Sequence, residues 1–338
     1  MSKLEEQLSK KILILDGAMG TMLQEYQFSE EDFRGKRFAQ WTVSLKGNND
    51  LLSLTQPEAI AAIHRKYFEA GADIVETNTF SGTSIAMADY QMEELVYEMN
   101  FESARIAKKV AEEVTAENPE QPRFVAGAMG PTNKTASMSP DVNDPGFRAI
   151  SFEELRIAYK QQAKALIEGG VDILLVETVF DTLNAKAALF AIEELKEELG
   201  VEIPVMVSGT ITDASGRTLS GQTAEAFLIS VSHIPLLSIG FNCALGAKQL
   251  TPHLEVLNRY AESGVSAYPN AGLPNAFGEY DQDAEEMANQ IREYLEKGLV
   301  NILGGCCGTT PDHIRAIAEI AKDYKPRPIE ILKNPEIV

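Results

Sequence analysis

Three cysteines are the residues of this 338-residue chain whose type and spacing most clearly suggest chemistry. Cys306 and Cys307 are adjacent in the segment LGGCCGTT, whereas Cys243 lies far upstream in FNCALG. Adjacent cysteines do not pair easily, because a vicinal disulfide strains the peptide between them. A low and odd cysteine count also argues against a disulfide framework and favours free thiols that bind a metal or take part in catalysis.

The elements that must position these thiols are short apolar runs, each followed by a polar or glycine-rich loop. Near-continuous apolar runs are typical of parallel strands that are buried on both faces. The eight predicted strands span residues 12–17, 72–79, 123–130, 171–178, 203–211, 236–243, 265–272 and 300–307.

Helical patterns lie between the predicted strands. Pro57 opens a predicted helix, Ser151 and Glu154 form a capping box, and Thr310-Pro311 begins the last helix. Eight alternating units predict an α/β protein built as a single (β/α)₈ TIM-type barrel. A doubly wound sheet is the alternative, but it does not require eight such regular units.

The domain assignment follows from this barrel. Residues 1–325 form the predicted barrel, and residues 326–338 form a C-terminal tail or the start of an interdomain linker. Residues 22–50 are a long insertion after the first strand and contain the single tryptophan, Trp41. We expect this insertion either at the catalytic mouth of the barrel or at its far end.

The carboxyl ends of barrel strands form the active site, so the strand ends are where chemistry is expected. Cys243 ends strand six, and Cys306 and Cys307 end strand eight, so the three thiols converge across strand seven. Three thiols at one mouth suggest Zn²⁺, which takes tetrahedral N/S ligands and keeps one position open in catalytic sites. The alternatives are small hydrophobic cysteines and a catalytic cysteine with a histidine base. The second is disfavoured because all four histidines lie in predicted helices or connections: His64, His233, His253 and His313.

Acidic residues lie at the ends of other strands. Asp16 precedes Gly17, and Glu177 ends strand four; Glu76 ends strand two and is a weaker candidate. Such acids could bind the ammonium group of an amino acid, while exposed backbone N–H groups bind its carboxylate. The alternative for Glu177 is a buried structural ion pair. The remaining polar strand ends are Thr77-Asn78, Gly130, Thr178, Ser208 to Asp213, Asn242 and Asn270.

Composition excludes several classes of function. A net charge of −20 disfavours nucleic acid and anionic membranes as partners. The chain has neither a signal-peptide pattern nor an apolar run long enough to span a membrane, so we expect a cytoplasmic protein. Phosphate-binding glycine motifs are absent, and no lysine lies at a strand end, which disfavours Schiff-base chemistry.

Eight segments between about residue 10 and residue 325 together form a specific pattern: LDGAMGTML, ETNTF, GPTNKTAS, ETVFDTLNAKAAL, SGTITDASGRTLSGQT, FNCALG, YPNAGLPNAFGEYD and GGCCGTTPDHI. They resemble the homocysteine-binding module of cobalamin-dependent methionine synthase, in the homocysteine S-methyltransferase family. Betaine– and S-methylmethionine–homocysteine methyltransferases share the DG…NC…GGCC skeleton, whereas GRTLSGQT and PNAGLPNAFGEYD look closer to the cobalamin-dependent enzyme.

The resemblance implies roles for particular residues. The expected zinc ligands are Cys243, Cys306 and Cys307, with Asn270 filling the fourth position when substrate is absent. The residues expected at the homocysteine amino acid group are Asp16 and Glu177, which bind the ammonium, and the backbone of Gly17 and Ala18, which faces the carboxylate.

The resemblance also implies a reaction. The zinc-bound thiolate of homocysteine takes a methyl group from methylcobalamin and gives methionine, with no protein nucleophile. Because the chain lacks a D-x-H-x-x-G cobalamin signature, the resemblance implies that methylcobalamin is supplied by another module and is not bound by this chain alone. Cobalamin- and folate-binding modules are then the expected partners, in the same polypeptide or in separate ones. The alternatives are a stand-alone methyltransferase using betaine or S-methylmethionine, and a non-enzymatic barrel with structural zinc or a thiol redox sensor.

Overall fold

The computed structural model describes residues 2–212 and 215–329. Its sheet has eight strands, all parallel, and each lies largely within one of the predicted apolar runs. The strands are β1 Leu13–Ile14, β2 Ile74–Glu76, β3 Phe124–Met129, β4 Ile173–Val179, β5 Val205–Gly209, β6 Ser238–Gly246, β7 Gly264–Asn270 and β8 Ile302–Leu303.

The strand order closes the sheet into a barrel. Neighbours follow the order β1-β8-β7-β6-β5-β4-β3-β2, and a parallel bridge between Leu15 and Ile74 joins β1 to β2. The Asp16 N–H donates to the Ile74 carbonyl at 3.0 Å beside that bridge. The predicted (β/α)₈ TIM-type barrel is therefore confirmed, and the doubly wound alternative is wrong.

Helices follow the strands and form the outer layer. The helix that starts at Phe152 has the predicted capping box between Ser151 and Glu154. The last helix begins at Pro311, and its cap includes His313, whose Nδ1 accepts from the Thr310 N–H at 3.2 Å. The helices are α1 Lys3–Lys10, α2 Met19–Glu25, α3 Glu30–Arg34, α4 Leu52–Thr55, α5 Pro57–Glu69, α6 Ser84–Met87, α7 Val96–Glu117, α8 Phe152–Glu168, α9 Thr182–Leu199, α10 Ala224–Val231, α11 Ala247–Tyr260, α12 Ala284–Glu296 and α13 Pro311–Ala321.

Two apolar layers hold the barrel together. A large cluster fills the space between strands and helices, and a smaller one fills the barrel interior. The interior cluster includes Ile74, Leu175 and Met206. Side chains alternate along a strand, so the residues two positions later, which include Glu76 and Glu177, continue the interior face towards the mouth.

The insertion at residues 22–50 lies at the carboxyl ends of the strands. Asp50 accepts a hydrogen bond from the Ser81 N–H at 3.0 Å, and Asn78 Nδ2 donates to the Asn49 carbonyl at 2.7 Å, both beside the loop after β2. Trp41 packs against the outer core. The structure therefore places the insertion at the mouth, which is one of the two positions that the sequence left open.

The first residues after the barrel pack against its other end. Arg327 is 8% exposed, and its guanidinium donates to the carbonyls of Ala261 at 2.6 Å and Ser263 at 3.0 Å. Ile329 packs against the interior cluster. The rest of the predicted tail, residues 330–338, lies outside the described residues. In the part of the chain that is described, no helix has both the length and the apolarity needed to cross a membrane.

Candidate metal and substrate site

The structure brings the three cysteines together at the barrel mouth. Their sulfur atoms all lie within 4.8 Å of one another, and Cys243 Sγ is 3.7 Å from Cys307 Sγ. All three are free thiols and are half-buried. The backbone turns at Cys243 and Ala244, which have φ angles of 59° and 56°, where the pairing of β6 with β7 is irregular. Left-handed backbone at a non-glycine residue is strained and is frequently found at functional sites.

Backbone hydrogen bonds fix the two adjacent cysteines against strand β7. The Cys306 N–H donates to the Pro269 carbonyl at 2.8 Å, and the Cys307 N–H donates to Asn270 Oδ1 at 3.1 Å. Thr309 Oγ1 donates to the Cys306 carbonyl at 2.7 Å. The thiols are therefore held by main-chain contacts that do not occupy the sulfur atoms.

Gly304 and Gly308, in the same segment as the two cysteines, lie where neighbouring residues leave no room for a side chain. A Cβ at Gly304 would lie 2.8 Å from Leu15 Cβ, so a side chain there would push β8 away from β1. Gly308 has a φ of +80°, and a Cβ there would lie 2.3 Å from Tyr280 Cβ. Glycine allows both the positive φ and the contact.

Contacts among the three thiols shift the pKa values of Cys306 and Cys307 in opposite directions. Hydrogen bonds from Cys243 and Cys306 lower the pKa of Cys307 to about 3, with a further contribution from Tyr280. The same contacts with Cys243 and Cys307, together with burial, raise the pKa of Cys306 well above its usual range. The three soft sulfur donors fit Zn²⁺ with one open position.

Three acids, Asp16, Glu76 and Glu177, lie inside the same mouth, and the described part of the chain offers them no cationic partner. Asp16 and Glu177 are buried, and the Glu76 N–H donates to Asp16 Oδ2 at 3.1 Å. Burial and the neighbouring Glu76 raise the pKa of Asp16, and burial and the other two acids raise the pKa of Glu177. Within residues 2–212 and 215–329, no lysine or arginine contributes to the electrostatics of any of the three acids, and Asp16 Oδ1 has no hydrogen-bond partner. The arrangement therefore suits a cationic ligand and does not match a structural ion pair at Glu177.

Gly17 and Ala18, which follow β1 and are the two residues expected to face the substrate carboxylate, differ in the hydrogen bonds of their backbone N–H groups. The Ala18 N–H donates to Thr309 Oγ1 at 3.2 Å, and the Ala18 carbonyl accepts from Tyr67 at 3.1 Å. The Gly17 N–H has no partner among the described residues. A Cβ at Gly17 would lie 2.7 Å from Thr309 Oγ1. The donor left open for a carboxylate is therefore that of Gly17.

Sequence reasoning missed two contributors to the site. Tyr280 hydrogen-bonds the Cys307 thiol, and its hydroxyl accepts from Asn270 Nδ2 at 3.4 Å. Asn242 was noted as a strand end without a role, yet its side chain reaches Cys306. No local sequence pattern predicts either contact, although both residues lie in segments that carry the family resemblance. Asp213, at the end of another candidate stretch, lies outside the described residues.

The family model for homocysteine S-methyltransferase matches residues 13–321, nearly the whole barrel. The chain belongs to the homocysteine S-methyltransferase family. It is thus a member of a family of methyltransferases that act on homocysteine, and the resemblance read from the sequence is confirmed at the level of the family.

Solved structures resemble this member of the family over more than nine-tenths of its chain. The metallated form of the homocysteine methyltransferase MmuM from Escherichia coli is 24% identical, with a TM-score of 0.71 over 92% of this chain and 96% of that one. Its oxidized form is 22% identical, with a TM-score of 0.72 over 94% and 98%. A B12-independent methionine synthase from Shewanella sp. W3-18-1, in complex with selenomethionine, is 15% identical, with a TM-score of 0.50 over 96% and 100%. At these identities the likeness establishes the fold.

Proposed function

We propose that this chain is a zinc-dependent homocysteine-activating module whose methyl donor is methylcobalamin carried by another module or chain. The observation that carries the proposal is one barrel mouth with two complementary sites. Three free thiols lie within 4.8 Å of one another, and the buried Asp16 and Glu177 lie with the half-buried Glu76 inside the same mouth, with no cationic partner among the described residues. A thiol group and an ammonium group are the two features that homocysteine offers to such a site.

Cys243, Cys306 and Cys307 are the proposed zinc ligands. Asn270 is the proposed fourth ligand without substrate, since its buried side chain ends β7 and its Oδ1 already lies against the Cys307 N–H. When bound there, Zn²⁺ would deprotonate the substrate thiol at neutral pH and leave its sulfur nucleophilic.

The acids and the backbone orient the substrate in this proposal. Asp16 and Glu177 bind the ammonium, and Glu76, which lies between them, adds negative charge. The Gly17 N–H binds the carboxylate, and Ala18 holds the turn through its bond to Thr309. These residues fix the direction of the side chain of homocysteine towards the thiols, and the chain itself supplies no nucleophile.

Two exposed apolar side chains at the mouth support the proposal that a large partner carries the methyl donor. Leu219 lies in GRTLSGQT and is 57% exposed, and Phe277 lies in PNAGLPNAFGEYD and is 88% exposed. Both segments follow strands at the mouth, and both resemble the cobalamin-dependent enzyme. Cobalamin- and folate-binding modules are therefore the proposed partners of this chain, which we propose to be cytoplasmic.

A second candidate is a self-contained methyltransferase that uses betaine or S-methylmethionine. The observation in its favour is that the match to MmuM covers nearly all of both chains. We expect methionine formation from homocysteine with methylcobalamin, free or on a partner module, and none above background with betaine or S-methylmethionine. Chromatographic measurement of methionine checks this, with the zinc-depleted protein as control. Zinc-dependent turnover with either small donor alone would establish the second candidate.

Zinc-edge X-ray absorption tests the homocysteine site separately from the donor. We expect three sulfur ligands in the zinc-loaded protein and four after homocysteine is added, because the substrate sulfur takes the open position. Methionine serves as the control ligand, since a thioether binds zinc more weakly than a thiolate. A sulfur count that stays the same with homocysteine would contradict the proposal and favour structural zinc.

A further inference from the structure

Asn242 occupies a central place between the two halves of the site. It lies in β6 directly before Cys243, and it has no exposed surface. We infer that Asn242 is a positioning residue that holds the Cys306 sulfur and the backbone beside Glu177 as one unit. This inference rests on the proposed function and gives a role to a residue so far described only by its contact with Cys306.

The side-chain amide of Asn242 uses all of its hydrogen-bonding groups. Its Oδ1 accepts from Ser208 Oγ at 2.7 Å and from the Thr178 N–H at 3.1 Å. Its Nδ2 donates to Thr178 Oγ1 at 2.8 Å and to Cys306 Sγ at 3.8 Å. An amide offers two donor hydrogens and two acceptor lone pairs on one planar group, and no other side chain of this size does so.

The two hydrogen bonds between Asn242 and Thr178 act on the part of the site that contains Glu177 and is proposed to bind the substrate ammonium. Thr178 follows Glu177 and has a φ of +53°, a left-handed conformation that β-branched residues rarely adopt. The pairing of β4 with β5 is also irregular between Val176 and Val179. Asn242 binds both the N–H and the hydroxyl of Thr178, so it stabilises the turn that sets the direction of the Glu177 side chain.

The fourth hydrogen bond of Asn242, from Nδ2 to Cys306 Sγ, acts on the cysteine cluster. Cys306 is a proposed zinc ligand, and an N–H donor to a ligand sulfur orients that sulfur and moderates its negative charge. Partners of this kind outside the ligand shell affect metal affinity by about 10- to 100-fold in other metalloproteins. The adjacent Cys243 is also a proposed ligand, so Asn242 is linked to one sulfur through its side chain and to another through the main chain.

A matched pair of variants separates this role from simple packing. Asn242→Asp keeps the shape and the acceptor oxygens for Ser208 and the Thr178 N–H, but its carboxylate offers no N–H to the sulfur or to the Thr178 hydroxyl. Ser208→Ala removes a neighbouring bond to the same amide and leaves the contact with Cys306. The readouts are zinc affinity by chelator competition and the sulfur-to-cobalt charge-transfer band of the cobalt-substituted protein.

For Asn242→Asp we expect zinc affinity to fall about 10- to 100-fold, with a shifted charge-transfer band. Ser208→Ala should match the wild-type protein in both readouts. Equal losses in the two variants would show a packing role and overturn the inference, and so would an Asn242→Asp protein with wild-type affinity and spectrum. A wild-type protein that binds no metal would instead overturn the proposed function together with the inference.

Thr178→Val provides an independent test if Asn242→Asp does not fold. Valine keeps the branched shape but removes the hydroxyl that accepts from Asn242. We expect a homocysteine KM at least about 5-fold higher at unchanged zinc affinity, because the turn beside Glu177 loses one of its two bonds. An unchanged KM would overturn the inference for the substrate half.

Discussion

Cys306→Ala should abolish tight zinc binding while leaving the barrel folded. Removing one of three sulfur ligands is expected to weaken zinc by more than the roughly 100-fold upper range seen when residues outside the ligand shell are changed. The barrel should survive because Cys306 lies at the mouth and is half-buried, whereas the two apolar clusters hold the fold. Chelator competition measures the affinity, and circular dichroism measures the secondary structure.

The zinc-depleted wild-type protein is the matched control for this variant. Both should have the same far-ultraviolet spectrum, and both should lack methionine formation. Cys243→Ala and Cys307→Ala should behave in the same way, because the three sulfur atoms form one cluster. If zinc affinity stayed within a few-fold of wild type, Cys306 would not be a ligand. If the helical signal were lost on zinc removal, the zinc would be structural.

Glu177→Gln should raise the KM for homocysteine about 10- to 100-fold, with a smaller change in kcat at saturation. Glutamine keeps the size of the side chain but loses the negative charge, and a hydrogen bond to a charged group contributes about 1.5–3 kcal/mol. Initial rates over a range of homocysteine concentrations measure both constants. Glu69→Gln, an exposed change at the end of α5, is the control and should leave KM unaffected. A wild-type KM in Glu177→Gln would exclude this acid from ammonium binding.

The same Glu177→Gln variant should be more stable than the wild-type protein at neutral pH without substrate. Burial and the two neighbouring acids raise the pKa of Glu177 in the folded state, whereas in the unfolded chain it titrates near about 4.3. Above that unfolded value the folded protein binds more protons, so its stability falls as pH rises towards the folded pKa. Glutamine does not ionise, so the advantage should be present at pH 7.5 and shrink as pH approaches about 4. Thermal unfolding at the two pH values checks this, and a lower midpoint for the variant at pH 7.5 would contradict it.

A Glu177→Gln variant that binds homocysteine more weakly and is also more stable would distinguish a substrate-binding acid from a structural one. A structural acid would lose stability on substitution, because a buried partner would be left without its bond. A binding acid in a cluster of like charges destabilises the empty protein and is stabilised only by the ligand. Because burial, Glu76 and Asp16 all raise the pKa of Glu177, we expect it to behave as an acid of the second kind.

The sequence alone determined the barrel and the convergence of the three cysteines at its mouth. Eight apolar runs predicted eight strands, and the rule that strand ends form the mouth placed Cys243, Cys306 and Cys307 at one edge. These inferences succeed because burial on both faces and strand polarity leave local patterns in the chain. The motifs then indicated the family, which the match over residues 13–321 confirms.

The tertiary structure decided how the site is connected. It placed the insertion at residues 22–50 at the mouth, showed that the Ala18 N–H is already bonded to Thr309, and showed that Asn242 links Thr178 to Cys306. These contacts join residues that are distant in sequence, such as Asn242 and Cys306, which are 64 positions apart. No local pattern encodes them, because closure of the barrel and strained turns at Thr178 and Cys243 create them. Sequence specified which groups reach the mouth, and only the closed barrel specified which of them meet.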